Sequence, residues 1–304
     1  MRCKKIIRHW IGLTWIVLLP MAKASDVYSA CNQDPVSCLS AAELQQARLS
    51  DSSSLLWWRF EEQRLDALFD LQRIDELYAS LRPWVDNPSV PAKYKPIVTL
   101  YLGKWLNANE RRAEGLIELE KSLAGFQAQY KATPSPQLGI RILNLLVSVD
   151  KFDEAELFSS SLESANYDAP LLYREMFAEL GHVAYRKKDH ERHIKYRLKS
   201  LEWAKRVPDL QQQAIAFNNY AVSLRENKNF TMAEQAFHDG LTCAEQANDK
   251  AQVNNIRLRL AEVALLQGKL QKARERLKYV SLNELPVVQI PNYRRISDEI
   301  YSRE

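Results

Sequence analysis

AIAFNNYAVSLRENKNFTMAEQAFHDG, residues 214–240, sets two adjacent asparagines, Asn218 and Asn219, in the middle of a helical apolar pattern. Phe217, Tyr220, Ala221 and Leu224 recur at spacings of three and four, which puts them on one face of a helix. After the polar break ENKN, Ala233, Phe237 and Gly240 form a second such face. The stretch therefore reads as two antiparallel helices joined by a short turn. Asn suits caps and turns better than helix interiors, because its amide competes for backbone hydrogen bonds. A demand other than helix stability must hold the pair in place.

The same pattern slides along the chain. Its first small position falls at Gly103, Leu143, Gly181, Ala221 and Ala261, and its second at Gly115, Ala155, His193, Ala233 and Ala273. Small residues are needed there because paired helices cross closely; Leu143 and His193 depart from the rule. The spacing predicts an array over residues 91–283 with a period near 40. Pro91, Pro136, Pro170 and Pro208-Asp209 stand where new first helices begin, and Asp249 can cap the last. Upstream, in residues 25–90, Ser40-x-x-Glu43 reads as a capping box that opens a helix, and LLWWRFEEQRLDALFDLQRIDELYASLRPW as a further helical pair. Residues 284–304 read as a terminal capping helix with a polar outer face.

Phe217-x2-Tyr220-Ala221-x2-Leu224 followed by Ala233-x3-Phe237 resembles the tetratricopeptide repeat, with the second half matching literally and the first by residue class. The long period is similar to that of kinesin light chain and of bacterial peptide-sensing regulators. The resemblance implies an all-α, right-handed superhelical solenoid of antiparallel helix hairpins, whose first helices line a concave groove that binds peptides or proteins. In the kinesin light chain type an Asn pair stands at this same place, where a carboxamide can pair with the peptide bond of a bound segment.

Carrying the family register along the chain puts Tyr101, Lys104, Asn107, Arg141, Asn144, Glu175, His182, Arg186, Asn218, Asn219, Arg225, Asn255, Arg259 and Glu262 in the groove. Co-chaperone members grip a terminal carboxylate with Lys, Asn and Arg. Asn219, Asn255 and Arg259 match that clamp in part, but Ala178 and His182 replace its Lys and Asn, so binding of an internal segment is implied instead. The second helices carry the solvated faces, on which Glu234 is expected to stand free.

Composition bounds the chemistry. The chain has 304 residues, 46% of them apolar, enough for a sizeable core. Its formal charge of +4 is concentrated at the start: Arg2, Lys4, Lys5, Arg8 and Lys23 lie in the first 24 residues, and without them 37 basic residues face 38 acidic ones. That leader, with an apolar run from Trp10 to Leu19 and the site Ala22-Lys23-Ala24, reads as a cleaved signal peptide, so residues 1–24 are expected to be removed on export to a bacterial periplasm. Cys31 and Cys38 are then expected to pair across a turn started by Asp34-Pro35, while Cys243 packs as a small core residue.

Only 8 residues are glycine, where average usage is about 7%, and no phosphate-loop, dinucleotide or nucleophile-elbow motif occurs. His190 and His193 share a helical face, but they fall on packing positions and have no third ligand nearby in sequence, so no metal site is expected. Paired acids such as Glu61-Glu62 and Asp153-Glu154 are expected on solvated faces, and the basic pairs Lys187-Lys188 and Arg294-Arg295 are balanced by neighbouring acids. Nucleic acid, a cofactor and catalysis are not expected. The partner is read as a protein or peptide. Two alternatives are a sensory input subunit touching a membrane-bound kinase or cyclic-dinucleotide enzyme, and a scaffold for envelope or polymer assembly.

Overall fold

The computed structural model describes residues 24–31, 34–49 and 51–302. The expected signal segment lies outside the described residues, but for Ala24. The chain forms two compact units, one through Ala108 and one from Asn109. The division falls after the first helix of the expected array and not at residue 90. Among the described residues there are helices and no strand.

The first unit contains α1 (Ala24–Cys31), α2 (Pro35–Gln46), α3 (Leu55–Asp70), α4 (Ile74–Leu81) and α5 (Lys95–Ala108). A disulfide joins Cys31 at the end of α1 to Cys38 in α2. The capping box at Ser40 does not open a helix. Asp34 is the cap, accepting from the backbone N–H groups of Val36 and Ser37 at 2.9 Å, and Pro35 begins α2. Pro is preorganised for that position and loses no bond there. Ser40, inside the helix, donates to the Val36 carbonyl instead. Val27, Ala42 and Phe60 pack α1, α2 and α3 together. Trp58 is fully buried with Trp57, Trp84 and Tyr94 around it, ring centroids 5.0–5.7 Å apart.

The second unit contains α6 (Arg112–Ala132), α7 (Pro136–Ser148), α8 (Phe152–Ala165), α9 (Pro170–Arg186), α10 (His190–Ala204), α11 (Leu210–Glu226), α12 (Phe230–Gln246), α13 (Lys250–Leu266), α14 (Leu270–Leu277) and α15 (Ile290–Tyr301). The helix starts follow from local chemistry. Pro136 and Pro170 hold the first position of α7 and α9, while Asp209 and Asp249 cap α11 and α13 by accepting from Gln212 and Gln252 at 3.0 Å.

Each turn between a first and a second helix contains a residue with left-handed backbone: Glu110, Asp150, Lys188, Lys228 and Gly268, preceded in the first unit by Gln72. After α11, the Asn229 N–H donates to the Leu224 carbonyl and the Lys228 N–H to Arg225, both at 2.9 Å. This bond pair closes the helix end and reverses the chain. Only Gly268 adopts that conformation without side-chain cost.

The small positions are where the helices meet. Ala155, Ala221, Ala233, Ala261 and Ala273 are all inaccessible to solvent. A Cβ on Gly240 would stand 2.9 Å from that of Phe217, so α12 can approach α11 only with glycine there. Leu143 and His193 are also buried, and the packing accommodates their larger side chains. Cys243 packs at the edge of the α11–α12–α13 core, and burial raises its thiol pKa. At the other end, α15 covers α13 and α14 with Ile296 and Ile300, each burial worth about 1.5–3 kcal/mol, and leaves Arg294, Arg295 and Asp298 outside.

Candidate peptide-binding groove

The two units hold different parts of the expected groove. In the first, Tyr101 is only 2% exposed. Its ring lies 6.0 Å from that of Phe69 and its hydroxyl donates to Asp66, so it is an interior residue and does not line a groove. Lys104 lays its ammonium 3.8 Å from the Phe69 ring centre, and Asn107 is exposed near the end of α5.

In the second unit, α7, α9, α11 and α13 carry the remaining residues. Arg141 reaches over the Phe126 ring at 5.8 Å. Arg174 donates to Glu175, and Arg186 donates to Asp150 at 3.0 Å while lying over Phe152. His182 is half-buried; burial, with Arg197 and Arg186 nearby, lowers its pKa and keeps it neutral.

At the C-terminal end the charges form a connected cluster. Glu262, nearly buried on α13, accepts from Arg225 on α11 and from Arg295 on α15, and Arg259 stands 3.3 Å away. Arg259 also donates to Gln289 at 3.1 Å. Glu226 lies 3.5 Å from Arg225 and 3.7 Å from the Nδ1 of His193. Arg225, Arg259 and Glu262 therefore hold one another, as do Arg186 and Asp150. Much of the groove register is engaged between neighbouring repeats and is not open to solvent.

The asparagines differ. The side-chain oxygens of Asn144, Asn218 and Asn255 are buried with no hydrogen-bond partner. Asn218 is 8% exposed and reaches only the Asn219 oxygen, at a long 3.5 Å. Asn255 uses its nitrogen on Gln252 at 3.3 Å and leaves its oxygen unmatched. An unmatched buried carbonyl costs about 1–3 kcal/mol, so the three, on α7, α11 and α13, are a demand for donors.

Sequence reasoning missed Glu226, which lies between Arg225 and His193 of α10, and Gln289 and Arg295, whose roles depend on the C-terminal segment returning to α13. It also missed Asn254, which is buried, donates to the Lys250 carbonyl at 2.8 Å and accepts from the Ser281 N–H at 2.7 Å. Glu234 is not free on a solvated face. It is 19% exposed and accepts from Lys272 at 2.7 Å and Arg276 at 2.5 Å, both on α14. Burial alone would raise its pKa, but these two donors outweigh it and hold the carboxyl at about 2.

His190 is exposed at the start of α10, whereas His193 is buried against Tyr185, ring centroids 5.3 Å apart. Burial first, then Arg197, His190 and His182, push the His193 pKa down to about 4, which leaves it a neutral packing residue. Among the described residues no group of three or more His, Cys, Asp or Glu side chains is placed to hold a metal ion. No described helix is long and apolar enough to cross a membrane.

No family model and no curated protein matches the chain. Solved structures do. A signal-transduction ATPase with a tetratricopeptide-repeat sensor from Pyrococcus horikoshii superposes with a TM-score of 0.60 at 16% identity, over 90% of this chain and 41% of that one. The fold is of the tetratricopeptide-repeat type. A Rap protein complexed with competence and sporulation factor gives 0.58 at 11% identity, over 92% of this chain and 79% of that one. NprR in complex with its cognate peptide NprX gives 0.53 at 14% identity, over 91% and 80%. The chain spans less than half the length of the archaeal ATPase. The unmatched oxygens of Asn144, Asn218 and Asn255 lie on α7, α11 and α13, the first helices of their hairpins.

Proposed function

We propose that the chain is an exported binding module of the bacterial periplasm that takes an extended segment of a protein or peptide along the first-helix face of its second unit. The observation that carries this reading is the set of three buried, unpartnered carboxamide oxygens on α7, α11 and α13. A bound backbone offers N–H donors at regular intervals, and the Asn amide turns easily about its broad final torsion to meet them. Backbone pairing gives affinity without demanding one sequence. The complexes of the Rap protein with competence and sporulation factor and of NprR with its peptide NprX support binding by this fold, although they speak for those proteins. The sensor role of the repeat domain in the Pyrococcus horikoshii ATPase supports the narrower version in which the partner belongs to a signalling enzyme.

The test is a peptide selected from a random-sequence display library on the wild-type protein, then titrated against Asn218→Ala/Asn219→Ala. The double variant should keep its helix content, because Ala is the better helix former and an unmatched buried oxygen is removed. Affinity for the selected peptide should fall about tenfold or more. A peptide that binds the folded double variant as tightly as the wild type, or a library that yields no binder, defeats the reading.

A further inference from the structure

A second concave site stands apart from the groove. The last turn of α8, the α8–α9 connection, the first turn of α9, and the last turn of α10 with the segment after it enclose an open cavity of about 490 Å³, and none of the groove residues named above lines it. Its walls include Glu163, Tyr167, Asp168, Tyr173, Trp203 and Arg206. The aromatic side is built firmly. Tyr173 is buried and stacks on Trp203 with centroids 4.6 Å apart and planes at 28°. The Tyr167 hydroxyl lies 3.2 Å from that of Tyr130.

The charges are arranged unusually. Arg206 is exposed and has no carboxylate partner among the described residues; its guanidinium carbon lies 3.8 Å from the centre of the Trp203 ring. Asp168, on the same cavity, is exposed and likewise makes no ion pair among the described residues. Glu163 has only a long contact, 3.7 Å, to Lys199. The cavity thus holds two carboxylates whose charge is barely matched and an indole already covered by a cation. An aromatic face beside carboxylates attracts organic cations, and most strongly where water is partly excluded.

We propose that this cavity binds an organic cation, a guanidinium or alkylammonium group, which displaces Arg206 from Trp203 and pairs with Asp168 and Glu163. Arg206 is then a resident placeholder. Its removal should strengthen binding, which a purely structural role of the pocket would not produce. The cation could be the side chain of a basic residue on a protein or a free small amine, and the chemistry of recognition is shared.

The test is calorimetric titration of the full chain with acetyl-argininamide and with spermidine, using acetyl-citrullinamide as the neutral isostere of the first. Saturable binding of at least one cation is expected, weakened by salt, with none for citrulline. The preferred probe identifies the source, a protein side chain for argininamide and a free polyamine for spermidine. Arg206→Gln should bind the preferred cation severalfold more tightly, and Asp168→Asn about tenfold more weakly. Asp168 and Arg206 are exposed and lie outside the helices, so both variants should keep the fold. Failure of both cations to bind wild type and Arg206→Gln overturns the proposal. So does equal binding of citrullinamide, or an Asp168→Asn variant with unchanged affinity.

Discussion

Glu234→Ala separates the structure from a reading of the sequence alone, since on a free helix face the change would be harmless. In the structure the carboxylate joins α12 to α14 through Lys272 at 2.7 Å and Arg276 at 2.5 Å. Hydrogen bonds to charged groups contribute about 1.5–3 kcal/mol. The two bonds share one acceptor oxygen and are not additive. Arg276 is 16% exposed and would keep its bond to the Leu260 carbonyl at 3.0 Å and a long contact, 3.4 Å, to the Nε2 of His238. A loss of about 2–3 kcal/mol follows, or roughly 4–12 °C in melting temperature for a unit of roughly 200 residues.

The pH dependence has a definite sign. The folded carboxyl titrates at about 2 and the unfolded one near its ordinary 4.5, so its stabilisation is complete above the higher value and is lost as pH falls towards the lower. His238, beside Glu234, has its pKa lowered by burial and by Arg276, so it is neutral at pH 7. Thermal unfolding followed by circular dichroism, for wild type and Glu234→Ala in parallel, should show a gap at neutral pH that narrows through this acid window. Equal melting at neutral pH would show that the bridge contributes nothing. A gap that persists undiminished at the acid end would show that packing, and not charge, carries the effect.

Lys228→Gly should raise stability by about 0.5–1 kcal/mol, because the left-handed backbone there costs an L-residue more than glycine loses in unfolded entropy. Lys228→Ala should gain nothing, and urea unfolding of the two variants would contradict the turn assignment if they behaved alike. Mass spectrometry of protein recovered from a periplasmic fraction should find a chain beginning at Ser25, with a reductant-dependent gain of two hydrogens in the peptide spanning Cys31 and Cys38. A chain retaining Met1 would defeat the reading of a cleaved leader, and absence of the chain from that fraction would defeat export.

Much of the fold was legible because its determinants are local. Apolar residues at helical spacing define the hairpins, and Pro136, Pro170, Asp209 and Asp249 mark helix starts through effects confined to one turn. Ala233 and Ala273 announce helix crossings because no larger side chain suits a close approach. Where two local signals competed, the sequence misled: Ser40-x-x-Glu43 has the form of a capping box, but Asp34-Pro35 starts the helix earlier and carries the box inside it.

The electrostatic state of the site was not legible. Whether Arg225, Arg259 and Glu262 face a ligand or one another depends on side chains some 37 residues apart meeting across adjacent helices, and on α15 bringing Arg295 to the same carboxylate. Glu234 looks identical in sequence to any solvated acid until α14 packs beside it. Helix formation is decided over a few residues, so a one-dimensional pattern contains it. The partner of a charge is decided by distances of 3 Å between segments that only tertiary packing brings together.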